Sequence, residues 1–367
     1  MGIDGKRLGL ALSGGGFRAA LFGLGSLWRL NDAGLLQHLD RVTSVSGGSI
    51  TAGLLACRWR KLTFDNGGAV NFDTEIATPL QTFCSRTIDV TAGLIGMANP
   101  FKSAGQYLAK SYEDLFGRTL MRELPVAAEG HPKFTFYATN LQTGRSFRFR
   151  QDMLADYLLG VCKSHDVRLT TAVAASSAFP PIFSPVVIET DPNLWADGSD
   201  TPNLTELRRR IVLADGGVYD NMGLESLIDN VDISLVSDAG APFDIEEDPA
   251  SNYLSQLGRV RDILIDQTRA LRKRWLVEEF EAKRKRGAYW GIGTKVADYR
   301  DEQCAFKDTQ ITRSLAAVPT RLAAFEPEVR ARLVNWGYVL CDAALRSRAE
   351  LPMPAIKQLP LPQWQLH

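Results

Sequence analysis

Apolar runs that stop at glycine-rich turns dominate the first sixty residues. The run Leu8–Leu12 ends at a serine and three glycines, and a segment of helical composition, Ala19–Leu30, follows it. The same order returns at Val42–Val45, which ends in Ser-Gly-Gly and leads directly into Ile50–Trp59. Short apolar strands that alternate with helices are typical of an α/β sheet with helices on both faces. The pattern therefore predicts an α/β fold.

Five further strands are predicted in the middle of the chain. They are Phe134–Thr139, Ser146–Arg150, Val186–Ile188, Ile211–Leu213 and Ile233–Val236. The first alternates as a half-buried strand does, and we expect the second to pair with it.

Helical patterns predominate toward the end of the chain. A long helix is predicted over Arg259–Arg286 and a later one over Pro327–Arg346. The first becomes basic toward its end, which is typical of a solvated helix face; docking to anionic lipid is the alternative.

No internal repeat, low-complexity tract or linker divides the sequence. We therefore expect one α/β domain over residues 1–350, with its motifs in 6–240 and a mainly helical part in 250–350. The Pro-rich tail, 351–367, is expected to be extended.

Composition excludes several classes of function. Lys+Arg and Asp+Glu are equal at 42 each among 367 residues, so no net charge attracts the chain to nucleic acid. Any membrane contact would need a local patch. The five cysteines are scattered without a CxxC or Cys/His cluster, which disfavours a disulfide framework and a zinc site.

The longest uncharged stretch, Leu169–Ile188, is long enough to suggest a transmembrane helix. It contains five Ser or Thr residues and three prolines, whose freed backbone groups a bilayer would leave unsatisfied. We interpret it as a helix, a turn and a buried strand. The N-terminus lacks the apolar run of a signal peptide. We expect a soluble, cytoplasmic protein that could associate peripherally with a membrane.

A serine occupies the turn between the second strand and the second helix. The segment from Ser44 to Gly48 departs from Gly-x-Ser-x-Gly only at Ser44, which is still small. On such a turn the Ser46 hydroxyl projects out of the sheet, and the helix N-terminus favours negative charge there. Ser46 is therefore a candidate nucleophile, although an ordinary glycine-rich turn has the same pattern.

Three consecutive glycines, Gly14, Gly15 and Gly16, precede the first helix. Their N–H groups can bind phosphate or the oxyanion of a tetrahedral intermediate. The nucleotide-binding patterns are not met, since no Gly-Lys-Ser/Thr follows and Ala19 replaces the last glycine of G-x-G-x-x-G. Arg18 adds a cation that could contact a substrate anion or anchor the loop.

Asp215 ends an apolar run and is followed by two glycines. Most Asp-Gly-Gly triplets are plain turns, but a serine nucleophile needs a base. The histidines lie in polar connections, in loops or at the C-terminus: His38, His131, His165 and His367. A Ser–Asp dyad is therefore favoured over Ser-His-Asp. Asp197 is the competing carboxylate, interpreted as part of a surface loop, and Asp220 and Asn221 are interpreted as shaping the turn.

Five blocks spread over residues 8–223 resemble the patatin-like phospholipase family. They are Leu10–Ala19 (the glycine-rich oxyanion loop), Ser44–Gly48 (the nucleophile elbow), Phe136–Gly144 (a central strand and turn), Ala174–Pro180 with Phe183–Val186, and Asp215–Gly217 (the Asp-Gly-Gly block). Five blocks in the right order are more specific than any single motif, and nothing beyond residue 240 is carried over.

The resemblance implies a three-layer α/β/α fold with a central, mostly parallel sheet, and a Ser–Asp dyad that hydrolyses lipid or phospholipid esters. Ser46 would attack the carbonyl carbon, and Asp215 would accept the hydroxyl proton and later activate water. The N–H groups around Gly14, Gly15 and Gly16 would hold the oxyanion. No metal or organic cofactor is implied.

Other functions fit the same residues. An acyltransferase would use the same dyad with an alcohol or thiol in place of water. A non-catalytic lipid-binding regulatory protein would keep the fold without turnover, and nucleotide binding through the glycine loop is a further alternative. The apolar segment Leu94–Phe101 is interpreted either as a mobile lid that meets a membrane or an acyl chain, or as a packed loop.

Overall fold

The computed structural model describes residues 2–65, 67–88, 104–300 and 306–367. The strands are β1 (Leu8–Leu12), β2 (Leu39–Val45), β3 (Phe64–Asp65), β4 (Gly68–Ala69), β5 (Lys133–Asn140), β6 (Arg145–Arg150), β7 (Leu154–Asp156), β8 (Gly160–Cys162), β9 (Val186–Glu189), β10 (Trp195–Ala196), β11 (Arg210–Asp215), β12 (Ile233–Asp238) and β13 (Arg286–Gly291). The α-helices are α1 (Gly16–Asp32), α2 (Gly47–Arg58), α3 (Thr78–Phe83), α4 (Ala104–Ser111), α5 (Glu113–Phe116), α6 (Leu169–Ser177), α7 (Leu204–Arg209), α8 (Gly217–Asp220), α9 (Tyr253–Glu281), α10 (Gln310–Ala316) and α11 (Pro327–Ser347).

The centre of the main sheet is parallel. Strands β13, β12, β1, β2 and β5 lie side by side in that order, and each neighbouring pair is parallel. Beyond β5 the sheet continues antiparallel through β6, β7, β8 and β10, while β11 and β9 extend it from the end of β5. The sheet is thus mixed, with the predicted parallel arrangement in its central strands.

The sheet separates two hydrophobic cores. Successive side chains of a strand point to opposite faces. In β1, Leu8, Leu10 and Leu12 join the larger core with α1, α2 and α11, whereas Ala11 joins a smaller one. Leu276 of α9 and apolar residues of the segment 222–231 complete the smaller core. This is the predicted three-layer α/β/α fold.

Helix α1 is buried along nearly its whole length and packs closely on α11. Of its 17 residues, 15 are buried. A Cβ at Gly25 would lie 1.9 Å from the Val334 carbonyl oxygen, and one at Gly337 would lie 2.1 Å from the Phe22 carbonyl oxygen. Glycine at both positions therefore lets the two helix backbones touch.

One buried ion pair crosses this helix contact. Arg29 Nε donates to Asp342 Oδ1 at 2.8 Å, and both side chains are almost completely buried. Arg346, one turn after Asp342 on α11, donates to its second oxygen at 3.0 Å. Buried charges need such partners.

The predicted helix over Arg259–Arg286 is wrong at its end. Helix α9 stops at Glu281, and Arg286 begins β13, which pairs with β12. Residues Gly287–Gly291 are all buried. A strand covered on both faces shows no apolar–polar alternation, so the periodicity did not reveal it.

The other predicted strands and helices are confirmed. Within Leu169–Ile188 the structure has α6, a turn and β9, as expected. In the four described ranges, no helix combines the length and apolar character that crossing a bilayer requires. The segment Leu94–Phe101 lies outside the described residues, and the division into domains stays a prediction.

Candidate active site

The turn at Ser46 joins β2 to α2 and has a strained backbone. Ser46 has φ 51° and ψ −121°, and such a conformation costs on the order of 1–3 kcal/mol in a non-glycine residue. A Cβ at Gly47 would lie 2.0 Å from the Gly16 carbonyl oxygen, and one at Gly48 would lie 2.3 Å from the Leu12 carbonyl oxygen. The two glycines therefore allow α2 to begin directly against the glycine loop.

The pairing of β5 brings this turn next to Asp215. Along one edge, β5 first pairs with β2, where Tyr137 lies opposite Val45, and then with β11, where Ala138 lies opposite Asp215. Because Ser46 directly follows Val45, the two candidate residues lie at consecutive positions along that edge. The Ser46 hydroxyl is near the Asp215 carboxylate and acts to lower the pKa of that carboxyl as its potential hydrogen-bond donor. The structure thus brings together the two residues that the sequence analysis proposed as a dyad.

Ser176 links the two segments, a role that the sequence analysis missed. Ser46 N–H donates to the Ser176 carbonyl oxygen at 3.1 Å and to its hydroxyl oxygen at 3.0 Å. Gly216 N–H donates to the same carbonyl oxygen at 3.1 Å. The Ser176 hydroxyl also hydrogen-bonds to the Ser49 hydroxyl at 2.8 Å. The only signal in the sequence was the Ala-Ala-Ser-Ser block, noticed through the family resemblance.

Burial dominates the electrostatics of Asp215, which is 2% exposed. Its carboxylate accepts from Gly217 N–H at 2.7 Å, and no Lys or Arg of the described ranges forms an ion pair with it. Removal from water raises the pKa of Asp215 to about 7, while the nearby Ser46 hydroxyl and the Gly217 N–H act in the opposite direction. A carboxyl group with a pKa near neutral pH can both accept and release a proton there.

The glycine loop presents unpaired N–H groups beside Ser46. A Cβ at Gly14 would lie 3.1 Å from Ser46 Cβ, so the loop and the turn are in contact. The Gly14 N–H donates to a backbone carbonyl at 3.0 Å. Among the residues that the structure describes, the N–H groups of Gly15, Gly16 and Gly47 have no acceptor. The predicted donor set therefore narrows to Gly15 and Gly16, and Gly47, which directly follows the candidate nucleophile, joins them.

Arg18 is fully buried in the first turn of α1. Its Nε donates to the Ala239 carbonyl oxygen at 2.9 Å, and Nη1 donates to the Val318 carbonyl oxygen. Burial and repulsion from Arg269 together lower the pKa of Arg18 to about 10. These contacts support the anchoring interpretation. Nη2 has no partner in the described ranges, and a substrate contact through it stays a prediction.

The remaining candidates lie where the sequence analysis placed them. Asp220 accepts hydrogen bonds from the N–H groups of Met222 and Leu224, at 3.0 and 2.8 Å, and so shapes the turn. Asp197 is exposed. His165 hydrogen-bonds to a backbone carbonyl at 3.1 Å. In the described ranges no histidine is a hydrogen-bond partner of the candidate dyad.

A family model described as Patatin-like phospholipase matches residues 10–228, well over half of the chain. The chain belongs to this family. Among curated relatives, Probable lysophospholipase 3 of Schizosaccharomyces pombe is 32% identical over 149 residues. Probable lysophospholipase 4 of the same yeast is 30% identical over 149 residues. Each match covers 38% of this patatin-like chain and 22% of the relative, so the chain spans about a fifth of the length of these relatives.

A solved structure agrees with the patatin-like fold. Human GIVD cytosolic phospholipase A2 superposes with a TM-score of 0.54 at 13% identity. The match covers 94% of this chain and 60% of the human chain. At this identity the likeness concerns the fold alone.

Proposed function

We propose that this protein is a lipid acyl hydrolase of the phospholipase A type, with Ser46 as the nucleophile and Asp215 as the general base. The observation that carries the proposal is the proximity of a serine on a strained turn to a buried carboxylate that has no cation partner in the described ranges. Membership of the patatin-like phospholipase family and the names of the curated relatives support a lipid ester as the substrate.

In the acylation step, the Ser46 hydroxyl oxygen attacks the carbonyl carbon of the ester while its proton moves to Asp215. The N–H groups of Gly15, Gly16 and Gly47 then donate to the oxyanion. One well-placed donor of this kind lowers the barrier by about 3–4 kcal/mol. The tetrahedral intermediate collapses as Asp215 returns the proton to the leaving alkoxide, and an acyl ester forms on Ser46.

In the deacylation step, Asp215 takes a proton from a water molecule, which attacks the acyl carbon. The same N–H groups stabilise the second oxyanion. Collapse returns the proton to the Ser46 oxygen and releases the fatty acid. Asp215 must be charged before each step, so we expect activity to rise with pH through about 7 and to level off above it.

The test compares wild type with Ser46→Ala and Asp215→Asn on phospholipid vesicles and on a soluble short-chain ester. We expect both variants to lose at least about a thousandfold in kcat. A fluorophosphonate probe should label wild type and leave Ser46→Ala unlabelled, since the probe reacts with the nucleophile.

Matched controls are Ser314→Ala and Asp197→Asn, both exposed and away from the candidate dyad. Each should keep wild-type turnover. Full activity of a folded Asp215→Asn protein would disprove the assigned base, and failure of wild type on every ester would disprove hydrolysis. Product that appears only after an acceptor alcohol is added would indicate acyl transfer instead.

A further inference from the structure

Helix α9 exposes an apolar stripe along its outer face. The stripe consists of Tyr253, Leu257, Val260, Leu264, Leu271 and Trp275, which are 42% to 75% exposed. Leu276 is the one buried residue of this 29-residue helix. Of the fourteen large apolar side chains exposed in the described ranges, eight lie on α9. Exposed apolar side chains that are concentrated in this way indicate a binding surface.

The spacing of these six residues keeps them on one narrow face. At about 100° per residue, all six point within roughly 60° of one another. The stripe runs about 33 Å along the helix axis at 1.5 Å per residue. It begins with a tyrosine and ends with a tryptophan, and both side chains suit the boundary between an apolar and an aqueous phase.

Charge around the stripe is mainly positive between Tyr253 and Trp275. From Tyr253 to Trp275 the helix carries six basic residues and two acidic ones, Asp262 and Asp266. At about 100° per residue, both carboxylates fall on the half of the helix opposite the stripe, whereas Arg274 lies beside it. Arg274 is exposed. The outer face over these residues is therefore apolar with a cationic flank, which matches a lipid surface that carries negative charge.

Three arginines of α9 contact segments at the border of the candidate active site. The contacts join Arg261 Nη1 to the Pro180 carbonyl oxygen at 3.2 Å, Arg269 Nε to Asp238 Oδ2 at 3.0 Å, and Arg272 Nε to Asp220 Oδ1 at 3.4 Å. Arg269 also donates to the carbonyl oxygens of Gly240 and Ala241, just after the end of β12. The stripe is thus fixed at a definite position relative to these segments.

Each of these segments is connected to the residues of the proposed mechanism. The Ala178 carbonyl accepts the Asp215 N–H at 2.9 Å, in the turn that Arg261 contacts. The Ala239 carbonyl accepts from Arg18 at 2.9 Å, in the segment that Arg269 contacts. Helix α8, which Arg272 contacts, begins two residues after Asp215. A surface bound by the stripe would therefore lie beside the candidate active site.

We propose that α9 is the docking helix through which this protein binds a lipid surface containing anionic lipid. The proposal rests on the proposed function, because it supplies the means by which the candidate active site meets aggregated substrate. A second copy of the chain is the less suitable occupant. Between Tyr253 and Trp275 both acidic residues lie opposite the stripe, so a second copy offers no carboxylate to the cationic flank.

The test measures sedimentation with vesicles of phosphatidylcholine and phosphatidylglycerol, and with vesicles of phosphatidylcholine alone. All variants are made in a Ser46→Ala background so that hydrolysis cannot alter the vesicles. The double variant Leu264→Gln/Leu271→Gln should weaken binding to the mixed vesicles by at least about tenfold, because two apolar side chains no longer enter the lipid. Glutamine keeps a high helix propensity. Arg274→Gln should weaken binding to mixed vesicles severalfold and leave binding to phosphatidylcholine unchanged.

Leu254→Gln is the matched control, since Leu254 is 77% exposed on the same helix but about 100° away from Tyr253. It should bind within about twofold of the parent protein. Binding of the double variant that equals the parent, or a parent protein that binds neither kind of vesicle, would disprove the proposal. So would a dimer that the double variant converts to a monomer while vesicle binding stays unchanged.

Turnover of a soluble short-chain ester separates the two proposals. With Ser46 intact, the double variant should keep wild-type turnover of that ester and lose turnover of the mixed vesicles. Vesicle binding without hydrolysis of any ester would contradict the proposed function and leave the docking helix in place. If wild type hydrolyses the soluble ester and the double variant binds and hydrolyses vesicles as well as wild type does, the docking helix is contradicted and the proposed function is kept.

Discussion

The two longest helices of the described structure differ in how far they are buried. Helix α11 buries 14 of its 21 residues, whereas α9 buries one of its 29. Both carry apolar residues at helical spacing, and by that spacing alone both would be assigned to the core. The structure places α11 inside, tied to α1, and leaves the stripe of α9 outside, with arginines directed to the loops of the candidate site. An apolar stripe therefore identifies a contact face without identifying the partner.

The largest expected effect on stability comes from breaking the ion pair between Arg29 of α1 and Asp342 of α11. Asp342→Asn leaves Arg29 charged and buried, which should lower the free energy of unfolding by about 3–5 kcal/mol. Chemical denaturation measures the loss. The matched change on α9, Asp262→Asn, affects an exposed pair with Arg261 and should cost less than about 1 kcal/mol. Equal losses at the two positions would refute the contrast between the helices.

Replacing one glycine by alanine in each helix should change the free energy of unfolding in opposite directions. Gly337→Ala places a Cβ 2.1 Å from the Phe22 carbonyl oxygen, so α1 and α11 must separate, at a loss of about 2–3 kcal/mol. Gly258→Ala on α9 meets no atom within 4 Å and should gain about 0.5–1 kcal/mol from helix propensity. Thermal unfolding of both variants should move in opposite directions. A stabilised Gly337→Ala protein would contradict the close helix contact.

The pH dependence of stability measures what it costs to bury the Asp215 carboxylate, which forms no ion pair in the described ranges. Burial raises its pKa from an ordinary value of 3.8 to about 7. Between pH 3.8 and about pH 7, the carboxyl group is therefore protonated in the folded state and ionised in the unfolded state. Its contribution to stability is therefore complete below about 3.8 and is lost as pH rises to about 7. Asp215→Asn does not titrate. Its stability relative to wild type should increase by on the order of 2 kcal/mol between pH 5 and pH 8.

The measurement is the difference in the free energy of unfolding between Asp215→Asn and wild type at several pH values. Asp342→Asn serves as the reference, since Asp342 has cation partners and its replacement should destabilise at both pH 5 and pH 8. A difference for Asp215→Asn that stays constant with pH would mean that the carboxyl titrates alike in the folded and unfolded chains.

The smallest expected effect is that of the stripe on stability. Leu264 and Leu271 are 61% and 57% exposed, so the double glutamine variant should change the free energy of unfolding by no more than about 0.5 kcal/mol at each position. The melting temperature without lipid tests this. A loss of several kcal/mol would show that the stripe packs inside the protein.

Much of the fold could be predicted because strand and helix periods are local. The paired strands at Phe134–Thr139 and Ser146–Arg150, and the late helix from Pro327, follow directly from those periods. The end of α9 could not be predicted, because the strand that follows it is buried on both faces and shows no alternation. The exposure of α9 was indicated by its basic residues, which are typical of a solvated helix face, and not by its periodicity, which gives the apolar face and not what covers it.

In the candidate site, too, some features could be predicted from the sequence and others could not. Ser46 and Asp215 each stand after an apolar strand and before glycines, and that local pattern is visible in the sequence. Their proximity depends on β5, which exchanges one partner strand for another between Tyr137 and Ala138. Ser176 had no signal beyond the Ala-Ala-Ser-Ser block, because the atom that joins the two loops is a carbonyl oxygen, which every residue possesses.

That carbonyl oxygen has a consequence for how the protein tolerates damage. Ser176 accepts the N–H groups of Ser46 and Gly216 at the same atom, so the two loops move together when α6 moves. Substitutions in outer strands or in α11 should therefore reduce the number of folded molecules while each folded molecule keeps its normal turnover. In a large set of random variants, activity per cell should follow abundance, except at the candidate active site and near α6, where activity per molecule itself would fall.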